Sequence, residues 1–110
     1  MAYDEDLADR IRALMGAESG VVEKKMFGGL AFLVDGNMSV AASGQGGLLV
    51  RVAPDDTESL LERDHVEPMV MRGREARGWL RVDSDGVRTE HQLEEWVQRG
   101  VAHARNLPPK

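Results

Sequence analysis

There is no cysteine among the 110 residues. Disulfides, zinc–thiolate sites and thiol nucleophiles are therefore excluded. Aromatic residues are scarce as well: two Trp, two Phe and one Tyr leave little for a platform on which bases stack. No apolar run approaches the roughly 20 residues of a membrane span. The opening MAYDEDLADR is acidic and polar, the reverse of a signal peptide, so a cytoplasmic location is expected. Positive charge is in deficit, with 14 Lys and Arg against 19 Asp and Glu and a net charge of −5. That balance repels nucleic acid and anionic lipid, so tight DNA binding is not expected of this chain.

What is present reads as one domain over residues 1–110 with one core. Asp4 caps a first helix, Glu5 and Asp6 suit its first turn, and Leu7, Ile11, Leu14 and Met15 recur at helical spacing. A strand follows over Val21–Phe27. "LAFLV" and "MSVAA" flank Asp35-Gly36-Asn37, a hairpin signal. Placing Leu30, Phe32 and Val34 on one face with Met38, Val40 and Ala42 requires an odd-numbered loop. A three-residue turn with Asn37 left-handed is thus expected. After a Gly-rich turn at residues 43–47, Leu48, Val50 and Val52 join the same face. The opposite face reads Ala31, Leu33, Ser39, Ala41, Leu49 and Arg51, which is only half polar.

Pro54, Asp55 and Asp56 open a second helix with Leu60 and Leu61, closed by Asp64 and His65. "VEPMVM" and "GWLRV" read as two short strands around an arginine-rich link at residues 72–78. Asp83 to Gly86 forms a turn. Thr89 and Gln92 make a capping-box pattern for a last helix with Leu93, Trp96, Val97, Val101 and Ala104 as its stripe. The order is α, three or four strands, α, two strands, α. Tight turns make the early strands antiparallel. An α+β two-layer sandwich follows, with three helices on the Phe32/Val50 face of an antiparallel sheet.

Four segments taken in order, "KKMFGGLAFLVDGNM", "LLVRVAP", "GREARGWLRV" and "LEEWVQRGVAHARNLPPK", make the chain resemble the N-terminal domain of the TfoX/Sxy family. These are bacterial proteins, some of which regulate natural competence. The resemblance spans nearly the whole chain and implies a compact α/β two-layer domain. The competence regulators carry a further C-terminal helical domain, so this chain is similar to the single-domain members. The family offers no active site to carry over.

The residues themselves offer little chemistry. Gly28-Gly29 and Gly44, Gly46 and Gly47 each precede a strand, not the helix N-terminus that a phosphate loop needs. They are turn and bulge punctuation. His65, His91 and His103 lack metal-ligand spacing, and no G-x-S-x-G elbow exists. No catalytic, cofactor or metal residue is assigned, and no enzyme activity is expected. The one local charge anomaly is Arg72, Arg74, Arg77 and Arg81. It is either a solvated loop paired with Glu75 or Asp83, or an anion or partner contact that includes Arg51.

The expected function is a non-catalytic regulatory or protein-interaction module. The alternatives are a nucleic-acid-associated regulator using Lys24, Lys25 and the arginines, and a small-anion or ligand binder near His65 and residues 72–77. Leu33 and Leu49 mark the expected interface face, for a protein partner or a weak homodimer.

Overall fold

A computed structural model describes residues 3–26, 28–71 and 73–108. The element order is α1 (Glu5–Met15), β1 (Val21–Met26), β2 (Gly29–Val34), β3 (Asn37–Ala42), β4 (Leu48–Arg51), a 3-10 turn (Pro54–Asp56), α2 (Thr57–Leu61), β5 (Val66–Met71), β6 (Arg74–Val82), a second 3-10 turn (Ser84–Val87) and α3 (Glu90–Asn106). One six-stranded sheet runs β1-β2-β3-β4-β6-β5, and every neighbouring pair is antiparallel. With three helices on one side, the architecture is the expected α+β sandwich.

The caps form as the residues dictate. The Asp4 carboxylate accepts from Leu7 N–H. At Thr89 both halves of the capping box are made with Gln92. Each satisfies N–H groups that a helix start leaves without intrahelical partners. The helix stripes then bury Leu7, Ile11 and Met15 of α1 with Leu93, Trp96, Val97, Val101 and Ala104 of α3. They pack on Phe32, Val34, Val40, Val50, Leu80 and Val82, all at most 1% exposed. Hydrophobic burial of this size is the main stabilising term of the domain.

The β2–β3 hairpin differs from expectation. Val34 pairs with Asn37, so the turn has two residues, Asp35 (φ 53°) and Gly36 (φ 85°). Positive φ at both central positions is what a hairpin turn of matching twist requires. An even-numbered turn puts Asn37 on the helix side and Met38 on the other, so Met38 does not join the Phe32 face. Phase is restored by a bulge: the register slips between Phe32 and Leu33, leaving Ser39 as the extra residue, and Val40 and Ala42 return to the core. The Ser39 hydroxyl donates to Phe32 C=O at 2.8 Å. α3 crosses at this point through Gly100, where an added Cβ would lie 2.5 Å from Ser39 O.

The second helix is shorter than expected, one 3-10 turn and five α-helical residues. Thr57, only 6% exposed, spends its side chain on the neighbouring sheet by accepting from Gly78 N–H at 3.0 Å. The arginine-rich link is not a link. Arg74 to Gly78 belong to β6, and the connection to β5 shrinks to residues 72–73. Between the pairs Pro68–Leu80 and Val70–Glu75 the β6 strand carries residues 76–79 against Met69 alone. Gly78 (φ 89°) supports this wide bulge. β1 forms as a largely exposed edge strand, and Phe27 lies outside the described residues.

Candidate functional site

The helix-free face of the sheet carries a second apolar cluster. Alternation along β2, β3 and β4 directs Ala31, Ala41 and Leu49 away from the helices, and the register stacks Ala31 beside Ala41 and Ala41 beside Leu49. Met38, turned outward by the two-residue turn, and Met69 complete it, while Met26, Leu33 and Trp79 pack against it half-buried. Among the described residues no helix side chain belongs to this cluster. The alanines are 0% and 1% exposed because the longer neighbours close over them. Leu49, at 3%, is therefore floor, and Leu33 is the leucine that reaches the surface. Val22 extends the surface at the β1 edge, 60% exposed and opposite Leu33.

The charges on this face follow from the same register. Lys24 lies opposite Ala31, Arg81 opposite Leu49, and Glu67 opposite Arg81. Arg51, two residues beyond Leu49, places its guanidinium 5.4 Å from the Trp79 ring centroid, within cation–π range.

The arginine cluster does not converge. Arg81 donates to Ser43 Oγ at 3.2 Å and to Gly46 C=O at 3.1 Å, holding the β3–β4 turn. Arg77 donates to Pro54 C=O at 3.2 Å and pairs with Asp55 at 3.5 Å. Neither takes the expected partner, Glu75 or Asp83. Arg74 is exposed, and Arg72 lies outside the described residues. Two of the arginines thus stitch the sheet to its turns, and of the two on the apolar face, Arg81 and Arg51, only Arg51 is not spent on a turn.

His65 lies at the opposite end of the β5–β6 ladder from Arg74. It precedes Val66, which pairs with Val82, whereas Arg74 pairs with Met71. Among the described residues, the ligand site expected between His65 and residues 72–77 is not assembled. His65 instead adopts φ 70° and meets Asp83 at 3.1 Å. Asp83 also accepts from Gly86 N–H. Partial desolvation opposes ionisation of Asp83, but the hydrogen bonds from His65 and Gly86 outweigh it and hold the carboxyl below its ordinary range. Asp85 completes a group of three that a metal ion would fit by distance. All three side chains are exposed, and Asp85 is paired with Arg88. These residues cap and close the turn before α3.

A cleft of about 540 Å³ opens beside this turn. One wall is a clamp: Arg63 donates twice to Glu95 at 3.0 and 3.1 Å and lies 4.8 Å from the Trp96 ring. Arg63 keeps the Glu95 carboxyl below its ordinary range. The clamp ties the end of α2 to α3. His103 sits half-buried in a smaller pocket with Asp56 and Arg99. Burial, aided by the Arg51 charge, holds its pKa below the ordinary histidine value.

Compared with protein families, residues 13–104 match the TfoX N-terminal domain. The chain belongs to the TfoX N-terminal domain family. No curated protein matches it. In this TfoX N-terminal domain the most consequential residues missed from sequence are polar and buried. Asn37, 1% exposed, donates to Ala104 C=O at 3.3 Å and Pro108 C=O at 3.0 Å, closing the C-terminal end of α3. The signal was present, since an Asn directly after Asp-Gly starts a strand. Its partners lie some 70 positions away, beyond the reach of local pattern. Among the described residues no helix of this domain is long and apolar enough to cross a membrane.

Proposed function

We propose that this TfoX N-terminal domain is a non-catalytic interaction module that engages a protein partner through the helix-free face of its sheet. The observation that carries the reading is the second apolar cluster, with its floor sealed and Leu33, Met26, Trp79 and Val22 left at the surface. Methionine adapts to differently shaped partners, and tryptophan and arginine dominate protein interfaces. The pairing of Arg51 with Trp79 places both on one patch. A regulatory role, such as the competence control exercised by some members of the family, would act through such a contact.

The test uses affinity capture followed by reconstitution. A protein recovered with the wild-type domain is purified and titrated calorimetrically. Leu33→Glu is expected to weaken its binding by at least about tenfold, roughly one hot-spot contact, with the far-UV circular dichroism unchanged. Glu94→Lys on the exposed side of α3 is expected to leave it unaltered. Equal binding by Leu33→Glu, or loss only with Glu94→Lys, overturns the reading.

A further inference from the structure

Most arginines on the helix side are ion-paired: Arg12 with Glu23 and Asp9, Arg63 and Arg99 with Glu95, Arg88 with Asp85, and Arg105 with Glu18 and Asp35. Arg10, which donates to Arg88 C=O, and Lys25, opposite Leu30, are without a carboxylate on that side among the described residues, but neither borders an exposed apolar cluster. On the helix-free face Lys24 and Arg51 have no carboxylate partner among the described residues. Arg51 contributes only its stacking on Trp79. In a chain with five more negative than positive charges, these cations lie on the face where the apolar surface also is. The missing counter-charges are what a partner would supply.

We infer that the partner of this face is acidic: a protein segment that sets apolar side chains on Leu33, Met26 and Trp79 and carboxylates on Lys24 and Arg51. This rests on the interaction reading above and narrows it. The spacing argues for a segment over a small anion. β1 and β4 are three strand steps apart in the sheet, about 14 Å at the usual inter-strand distance. A single phosphate or carboxylate does not span that. Two acidic side chains about four residues apart in an extended chain, or about nine apart on a helix, do.

A symmetric face-to-face pair of this domain is disfavoured on the same grounds. It would bring Lys24 and Arg51 of one copy toward a face on which, among the described residues, three cations, Lys24, Arg51 and Arg81, outnumber one carboxylate, Glu67. Nucleic acid is the other polyanion. The face offers it one tryptophan for stacking and an apolar centre of alanine, leucine and methionine, which suits side chains better than bases.

The test is selection of random displayed peptides against the intact chain, followed by fluorescence anisotropy with the synthetic winners. The expected winners are net negative and carry at least two apolar anchors. Their Kd should rise at least about tenfold between about 0.05 M and about 0.5 M salt. The Lys24→Glu/Arg51→Glu double variant should weaken them at least about tenfold, and Arg99→Glu on the helix side should not. Val22→Glu is a second probe at a position where folding is not at stake.

Neutral or basic winners that Val22→Glu still weakens would overturn the acidic partner and leave the interaction face standing. Winners insensitive to every variant on this face, or no enrichment at all, overturn both. A single-stranded oligonucleotide that outcompetes the peptides overturns the inference in favour of nucleic acid. Protein that dimerises through this face in light scattering, with the double variant dimerising more tightly, overturns it in favour of self-association.

Discussion

The two faces of the sheet solve the same burial problem differently. On the helix side Phe32, Val40, Val50 and Leu80 are at most 1% exposed under α1 and α3. Two layers about 10 Å apart must be filled by large side chains at crystal-like density. On the other side Ala31 and Ala41 are equally dry, at 0% and 1%, yet no described helix lies over them. Small residues flanked by Leu33, Met38 and Met69 achieve this by lateral cover. The first arrangement is self-sufficient. The second leaves Leu33, Met26 and Trp79 half in water, so further burial remains to be gained by docking.

The largest effect that tests this contrast is truncation on the helix side. Phe32→Ala is expected to lower stability by about 3–5 kcal/mol and Leu49→Ala by about 2 kcal/mol, since the thinner cluster relaxes more readily around a cavity. Urea midpoints measure both. A Leu49→Ala cost equal to that of Phe32→Ala would mean that the two faces are equally consolidated.

Gly100→Ala comes next. The added methyl carbon would lie 2.5 Å from Ser39 O, forcing α3 off the bulge at a cost of about 1–3 kcal/mol. Gly16→Ala, whose nearest contact would be an ordinary 3.5 Å, is the matched control and should be near neutral. Equal midpoints for the two would remove the close helix–sheet approach from the account.

Acid then separates the faces without mutation. Burial lowers the folded-state pKa of His103, so the unfolded chain binds the proton more readily. Stability is complete above the unfolded value of 6.5 and falls as pH drops below it toward the folded value. Thermal melts between about pH 7.5 and 5.5 should show this slope, and His103→Gln should flatten it. His103 lies on the helix side, in a pocket with Asp56 and Arg99, so peptide binding through the helix-free face should hold while stability declines.

Val22→Lys should give the smallest effect. The residue is 60% exposed at an edge strand, and stability should change by no more than about 0.5 kcal/mol. A larger loss in the isolated chain would show that the edge is already covered.

The helix caps, the amphipathic stripes and the Asp-Gly turn were legible because each depends on residues within one or two turns of chain. The three helices and the order of elements along the chain follow from them, whereas the pairing of β4 with β6 in the sheet joins residues too far apart for local pattern. The hairpin parity was not legible. Leu30, Phe32, Val34, Val40 and Ala42 do share a face, but through an even turn plus a bulge, which leaves the same apolar pattern as an odd turn. Met38 alone betrays the difference. The arginines read as a cluster because they are close in sequence. A wide bulge at Gly78 and the positions of Pro54 and Ser43 send them to separate partners.

Local sequence therefore determined the elements and their order along the chain, because caps, periodicity and turn chemistry act over a few residues. Tertiary structure decided which cations keep a counter-ion, how Asn37 closes α3 and why alanines suffice on one side of the sheet. Those outcomes depend on groups brought together from distant parts of the chain, where a one-residue slip in register reverses the face on which a side chain lies.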